Sequence, residues 1–468
     1  MNKLVFLILA VSSVIMAKAM TIPDYHPYQQ AHLNKPQLQF SDIAPLIEHY
    51  QVQPWLTVTE LGRSVKQQPI YQLQLGQGDK RILAWSQMHG DESTATAALF
   101  DLLNYLQAPE QAAWREQLFA EITLYIIPML NPDGAAKHSR VNAQGIDINR
   151  DALALQSPEG QLLMAAAKQI KPHFAFNLHD QNRFHAAGPY PNPATISLLA
   201  PAYNAEREIN ASRRAAMQLI AHVQPWLEQQ IPQHIGRYAD DWSARSFGDT
   251  FAAMGISTVL VESGAYRGDD NRQMARWLNF QLYVAWLAAI ASDSYQQADV
   301  ALYNAIPFNR SGGMKDVLLQ GLTVSIGDTT ATVDLAINLA LTGDRRARID
   351  ELGDLSLFSA FHQFSVQGLA FKAGQAYPLN TALSLDTEAH LALLQQGYTH
   401  FSGDKALLQA SSRLPVLLNP LRPTQGSPQL WQGATFLLVN TQGKVVQAVL
   451  NGQLISVPSG VIHNPLGT

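Results

Sequence analysis

The pattern of apolar and polar positions divides the chain in two. Between residues 56 and 261, apolar runs of strand length alternate with stretches in which apolar residues recur at helical spacing. The predicted strands cover 56–58, 70–75, 81–86, 122–128, 174–178 and 258–261, and several are continuous apolar runs, as expected of strands covered on both faces. Between them Ala95, Leu99, Leu102, Leu103 and Leu106 recur at helical spacing, as do Leu162, Met164, Ala165 and Ile170, and longer helices are predicted over 209–226 and 271–291. Strands alternating with helices predict an α/β domain whose sheet is at least partly parallel, with ligands binding beyond the carboxyl ends of strands. Residues 20–55, rich in Pro, His and Tyr, read as an N-terminal lead-in with one short helix near 42–50. Turn-like stretches at 292–297 and 309–313 end the alternating pattern. Beyond them the apolar runs are short (317–319, 322–326, 331–339, 436–439) and separated by Gly, Asp and Asn. Thr441-Gln442-Gly443-Lys444, between two such runs, predicts a hairpin. The expected organisation is an α/β domain over 56–295 and a smaller, mostly-β C-terminal domain of unknown role over 314–468.

Composition changes this picture in three places. With 468 residues the chain has room for two or three domains of the usual ~100–200 residues. Lys3, an apolar stretch over 4–16 and Ala17-Lys18-Ala19 fit a signal peptide over 1–19, which predicts a periplasmic or secreted protein. The segment between this leader and the first strand is too short for an independent pro-domain, so export in active form is expected. The chain has no cysteine, which excludes disulfides, thiolate metal sites and a lipid anchor through that residue. A net charge of −5 without a Lys/Arg-rich run argues against a nucleic-acid partner. No later stretch is apolar for ~20 residues, so no membrane association is expected after signal cleavage.

Candidate chemistry collects where apolar runs meet polar residues. The strand at 81–86 leads into His89 and, three positions on, Glu92; imidazole and carboxylate so spaced can face one point, as a zinc site requires. The run 174–178 ends at His179, and a third ligand leaves the fourth position of a tetrahedral zinc open, as in catalytic sites. Glu262 ends the run 258–261. A carboxylate there is costly unless solvated, paired or functional, and it suits a group that takes a proton from water and hands it to a leaving amine. Asn131-Pro132-Asp133-Gly134, Arg140 and the stretch Gly145-Ile146-Asp147-Ile148-Asn149-Arg150 follow the fourth strand. Their two arginines suit a carboxylate grip and an oxyanion contact, or a salt-bridged surface loop.

Taken together, His89-x-x-Glu92, N-P-D-G at 131–134, G-I-D-x-N-R at 145–150, the distal His179 and the strand-terminal Glu262 resemble the zinc carboxypeptidases over about residues 40–290. The resemblance implies a mixed eight-stranded sheet flanked by helices and one Zn2+ per chain held by His89, Glu92 and His179. It implies Glu262 as general base and acid, Arg140 polarising the scissile carbonyl, and Asn149 with Arg150 gripping the substrate's terminal carboxylate. Asp147 matches the carboxylate that orients the first zinc histidine. Tyr238 is the candidate for the family's mobile tyrosine. Residues 242–249 are expected to line the specificity pocket, where Arg245 would attract an acidic side chain, or Asp240, Asp241 or Asp249 a basic one. The polar run 180–185 is a further candidate for substrate contact, whereas His138, His185 and His234 are expected to be solvent-exposed.

The function expected from this resemblance is a zinc metallocarboxypeptidase acting on peptides with a free C-terminal carboxylate. The alternatives are an amidase of cell-wall peptides, an N-acyl amino acid deacylase on the same fold, and a non-catalytic peptide- or glycan-binding module.

Overall fold

The computed structural model describes residues 25–269, 271–340 and 346–465, so the predicted signal peptide lies outside the described residues. The chain forms two compact units, one ending at Ser311 and the other beginning at Gly312.

The first unit is built on an eight-stranded mixed sheet: β1 (Leu56–Arg63), β2 (Pro69–Gly76), β3 (Lys80–Trp85), β4 (Ile122–Ile127), β5 (Phe174–Asp180), β6 (Ile196–Leu199), β7 (Ile235–Arg237) and β8 (Ser257–Ser263). The spatial order is β1-β2-β4-β3-β5-β8-β6-β7. The central strands β4, β3, β5 and β8 are parallel, while β2 joins β4, and β6 joins β8, antiparallel. Alternate residues of β3 feed different cores: Ile82 and Ala84 face one, Leu83 and Trp85 the other. That two-sided burial explains why the central strands read as unbroken apolar runs. Helices Thr94–Gln107, Ala211–Gln230 and Gln273–Ser292 contribute to the first core; Pro158–Ile170 and Phe247–Ala253 contribute to the second.

The lead-in is more structured than its sequence suggests. Helix Phe40–Gln51 spans 12 residues, and Tyr25, Leu33, Leu38, Ile43, Ile47 and Tyr50 are buried in the first core. Tyr25 Oη donates to Asp101 at 2.6 Å, and Asp101 in turn pairs with Arg276 at 2.7 Å. Helix Val300–Ala305 also belongs to this unit, its Tyr303 buried in the same core.

The second unit is mostly β. Its nine-stranded sheet runs β11 (Ala347–Gly353), β10 (Thr329–Leu339), β9 (Met314–Ile326), β13 (Ala370–Ala373), β18 (Phe436–Val439), β19 (Val445–Leu450), β20 (Gln453–Ser456), β21 (Val461–Ile462), with β12 (Ser359–Ser365) parallel to β9. Two small sheets pair β14 (Gln375–Leu379) with β16 (Tyr398–Gly403) and β15 (Leu383–Leu385) with β17 (Leu408–Ala410). The runs at 317–319 and 322–326 are one strand, not two. Gly321, at φ +76°, carries the irregularity between them, and its N–H donates to Asp334 Oδ1 at 3.0 Å. Helix Thr387–Gln396, capped by Asp386 accepting from Ala389 N, is an element the strand-like pattern does not announce. The hairpin at 441–444 forms between β18 and β19, closed by Asn440 and Lys444. Among the described residues no helix is long and apolar enough to cross a membrane.

Candidate metal centre

Three strand ends and one loop build the site. β3 stops at Trp85, and the chain turns sharply at Gln87, which has φ +48°. Gln87 is buried, its amide donating to the carbonyls of Leu38 and Gly90 at 2.9 and 3.0 Å and accepting from Thr96 Oγ1 at 2.9 Å. This fixes the loop that carries His89. The N-P-D-G segment braces the loop from the other side. Asn131 Nδ2 donates to Met88 O at 3.2 Å and its Oδ1 accepts from Gly134 N at 2.9 Å. Gly90 packs so tightly there that a Cβ would lie 2.0 Å from the Gly134 carbonyl carbon. N-P-D-G is therefore a scaffold for the histidine loop. Asp133 accepts from Lys66 N at 2.8 Å and is buried.

The parity of β5 and β8 presents the other groups. Phe174, Phe176 and Leu178 face one core, so His179 shares the opposite face with Ala175. Val259 and Val261 face that first core too, which leaves Glu262 on the side of His179. His179 and Glu262 are direct register partners across the two parallel strands.

His89 Nδ1 and His179 Nδ1 lie 3.1 Å apart, and each is 2.7 Å from a Glu92 oxygen. His89, Glu92 and His179 form the described group of three residues able to hold a metal ion, with all donor atoms within 4.8 Å of one another. On the far side of its ring, His89 Nε2 donates to Asp147 Oδ1 at 3.1 Å, which leaves the Nδ1 lone pair turned inward. Two imidazole nitrogens and a carboxylate oxygen facing one point fit zinc, whose binding would displace the proton that His89 otherwise holds. Asp91 is exposed in the turn before helix Thr94–Gln107 and is not one of the three.

Charge at the site is tightly balanced. Burial works against ionising Glu92, but His179 and His89 hold its carboxyl well below the usual carboxylate range. Burial also opposes charge on His89, yet Glu92 and the hydrogen bond to Asp147 raise it to about 9. Glu262 goes the other way: burial and the neighbouring Glu92 carboxylate raise its pKa well above the usual value, only partly opposed by His89.

The remaining sequence-predicted residues gather around this core. Arg140 donates to Asp147 at 3.0 Å, and its Nη1 lies 3.2 Å from His89 Nδ1 and 3.6 Å from Glu92 Oε1. Asn149 accepts from Phe247 N at 3.0 Å, and its Nδ2 is 3.5 Å from His179 Nε2. Arg150 is exposed, with Nη1 donating to Asn149 O at 2.7 Å, and Arg245 Nε donates to Arg150 O at 3.1 Å. Tyr238 feels the charges of Glu262 and Glu92, which with burial raise its pKa, and its ring lies 5.7 Å from that of His185.

Several expectations need correcting. Asp240 and Asp241 are committed to cations: Asp240 bonds Arg213, and Arg207 lies 3.7 Å from Asp240 and 3.3 Å from Asp241. Asp249 bonds the Ser246 hydroxyl and Ser243 N. In the polar run after His179, Asp180 is held by Thr94 at 2.8 Å and Arg272 at 3.3 Å, and Gln181 bonds Ala194 O and Ser197; both brace the fold. His138 is exposed as expected, but His185 and His234 are half-buried, His234 bonding Pro193 O at 3.0 Å. Gln87, Thr96 and Arg272 support the site without any motif of their own; a glutamine two positions before a candidate ligand is the one available signal.

The zinc carboxypeptidase family model matches residues 48–212. This segment is similar to the zinc carboxypeptidase family. It carries the three metal-site residues together with Arg140, Asp147, Asn149 and Arg150, while Tyr238 and Glu262 lie beyond the match. Similar curated proteins include carboxypeptidase 2 of Trichophyton rubrum, 28% identical over 112 residues, which are 24% of this chain and 20% of that protein. Gamma-D-glutamyl-L-diamino acid endopeptidase 1 of Lysinibacillus sphaericus is 36% identical over 103 residues, 21% of this chain and 25% of that one. The matched part thus spans only a fifth to a quarter of these relatives' lengths. Among solved structures, a metallo-carboxypeptidase from Burkholderia cenocepacia is 19% identical, with a TM-score of 0.45 over 55% of this chain and 70% of that one.

Proposed function

We propose that the first unit is a zinc metallocarboxypeptidase hydrolysing the C-terminal amide bond of peptides that bear a free terminal carboxylate. The observation that carries this reading is the convergence of His89 Nδ1, His179 Nδ1 and Glu92, with Glu262 in register beside His179. His89, Glu92 and His179 would hold one Zn2+, which when bound acidifies water and polarises a carbonyl. Glu262, with its raised proton affinity, takes the proton of the attacking water and passes it to the leaving amine nitrogen, breaking the C–N bond. Arg140, already against Asp147 and beside His89, is placed to stabilise the oxyanion that forms at the carbonyl. Asn149 and Arg150 grip the terminal carboxylate, Arg150 through a fork that matches it in shape. Tyr238 and Arg245 would supply further substrate contacts, and Asp147 would keep His89 in the tautomer that binds metal. The predicted leader places the enzyme in the periplasm or outside the cell.

The likeness to an endopeptidase named for a γ-D-glutamyl linkage favours a second reading, an amidase of cell-wall peptides working through the same residues. Incubation with peptides and muropeptides, read by mass spectrometry, separates the two. Under either reading the purified protein returns one zinc per chain, and Glu262→Gln keeps that metal while activity falls by about 10³-fold. A metal-free, inert wild type would point instead to a binding module. Arg150→Ala should raise KM, or abolish turnover, for substrates with a free terminal carboxylate; equal activity on amidated and free peptides would sink the carboxypeptidase reading.

A further inference from the structure

The face of the sheet that carries the metal site continues past it as one row of paired residues. His179 on β5 pairs with Glu262 on β8, Glu262 with Ser197 on β6, and Ser197 with Gly236 on β7. Direct partners on neighbouring strands present their side chains to the same face, so these four positions stand side by side.

The row ends at a glycine because another residue occupies the place of its side chain. A Cβ on Gly236 would lie 1.7 Å from Asn309 Oδ1 and 3.0 Å from Ser197 Oγ. Gly236 has no positive φ, so space and not backbone conformation calls for glycine here. Asn309 belongs to the last stretch of the first unit and is pinned on both sides by backbone pairing. Asn309 N donates to Arg237 O and Arg237 N to Pro307 O, each at 2.8 Å, while Arg310 and Ala186 exchange two bonds of 3.0 Å.

The side chain so seated is engaged at several points. Ser197 Oγ accepts from Asn309 Nδ2 at 2.9 Å and from Gln181 Nε2 at 3.0 Å, and Asn309 Nδ2 also reaches Gln181 Oε1 at 3.1 Å. Ser197 and Gln181 are both buried. A hydrogen bond from Asn309 also opposes the rise in the pKa of Tyr238. Glu262 itself has no such tether: burial and the charges of Glu92, His89, Asp180 and Arg140 act on it, and no hydrogen bond from a described residue holds its carboxylate. Its place is therefore set by what stands beside it on the row, His179 on one side and Ser197 on the other.

We propose that Asn309, admitted by the missing side chain of Gly236, is a positioning residue for the peptidase reaction: it locks Ser197 and Gln181 and so fixes the wall against which Glu262 stands. This inference rests on the proposed role of Glu262. A base must lie within about 2.6–3.2 Å of the proton it takes, and a misplacement of about 1 Å can cost on the order of a hundredfold in rate.

The test is steady-state kinetics of the full chain on the peptide or muropeptide that the wild type cleaves fastest, with zinc content and urea midpoint recorded for every variant. Asn309→Ala should lower kcat by about ten- to a hundredfold, with zinc content unchanged and KM within about twofold, because Asn309 touches no substrate. Phe308→Ala is the control for the segment as such. Its ring is 52% exposed and packs 4.3 Å from the Arg237 guanidinium, away from the row, so kcat should stay within about twofold. Gly236→Ala should act by driving Asn309 out, so the double variant Gly236→Ala/Asn309→Ala should lose about as much kcat as Asn309→Ala alone and not the product of the two losses. In hydrogen exchange read by mass spectrometry, the peptide covering β6 should exchange faster in Asn309→Ala than in wild type, with or without zinc.

An active wild type with an equally active Asn309→Ala would overturn the proposal, as would unaltered exchange at β6. A loss of the same size in Phe308→Ala would assign the effect to the segment and overturn it too. So would a loss confined to KM, which would make Asn309 a substrate contact, or losses that multiply in the double variant. A zinc-loaded wild type that cleaves no peptide or muropeptide would sink the peptidase reading itself, and this inference with it.

Discussion

Asp101 and Arg276 in the first unit are almost fully withdrawn from water and joined by two 2.7 Å bonds, whereas Lys315 in the second unit reaches Asp350 and Glu351, whose side chains are 22% and 40% exposed. The contrast extends to function. In the first unit polar groups are buried at strand ends, each oriented by another, so that His89 depends on Asp147, Glu92 on both histidines, and the loop on Gln87. In the second unit Arg348 and Arg422, which line a cavity, stand exposed to solvent. Buried, paired charge makes a preorganised reaction centre. Exposed charge is screened by solvent instead.

The largest effect should come from breaking the buried pair. Asp101→Ala leaves Arg276 charged and buried, and removes the partner of Tyr25 Oη and of Gln30 N. A loss of about 3–5 kcal/mol in urea unfolding is expected. Glu351→Ala, at the half-exposed pair, should cost no more than about 1 kcal/mol, because solvent screens the charge and Asp350 still holds Lys315 at 2.7 Å. Equal costs at the two places would mean that burial does not separate the units in this way.

A smaller effect tests the packing of the metal loop. Gly90→Ala puts a methyl group 2.0 Å from Gly134, so the loop or the N-P-D-G turn must shift. About 1–3 kcal/mol of stability should be lost, with weaker zinc binding in equilibrium dialysis. Gly443 in the β18–β19 hairpin has φ +73° but open space around a Cβ, so Gly443→Ala should cost only about 1–2 kcal/mol, from its backbone conformation. Unchanged zinc affinity in Gly90→Ala would show that the close approach does not position His89.

These differences also explain what the sequence makes legible. β3, β4, β5 and β8 are visible because both faces are apolar, and that same run makes the polar residue at its end conspicuous; His179 and Glu262 stand out for this reason. β6 and β7 escape because four and three residues are too few to set a pattern. The eight-stranded sheet is reached through family resemblance, since the apolar runs alone show six strands. Asp180 and Arg272 pair across long sequence separation, and nothing local tells that Asp180 turns away towards Thr94. The cavity of the second unit draws Arg348, His400, Arg422 and Trp431 from separate segments, so no motif spells it.

The smallest effect concerns a device the two units share. His234 in the first unit and His390 in the second are each lowered to about 4 by burial, for His234 against an opposing hydrogen bond to Pro193 O. A folded-state value below the unfolded 6.5 means that the unfolded chain binds the proton first. The stability each group provides is therefore fully present above pH 6.5 and is lost as pH falls from about 6.5 towards 4. Carboxylates titrate near the lower end of that window too, so the informative quantity is the difference between wild type and variant. His390→Gln, which removes the titrating ring while keeping a polar group near Ser412, should flatten part of the fall in urea midpoint between pH 6.5 and 5. His234→Gln should flatten less per unit of burial, because its hydrogen bond to Pro193 O survives protonation. The His234 ring is still partly in contact with solvent, which keeps its contribution small, whereas His390 is buried. If the His390→Gln curve runs parallel to wild type across the window, burial in the second unit does not hold this ring neutral, and the two units differ here as well.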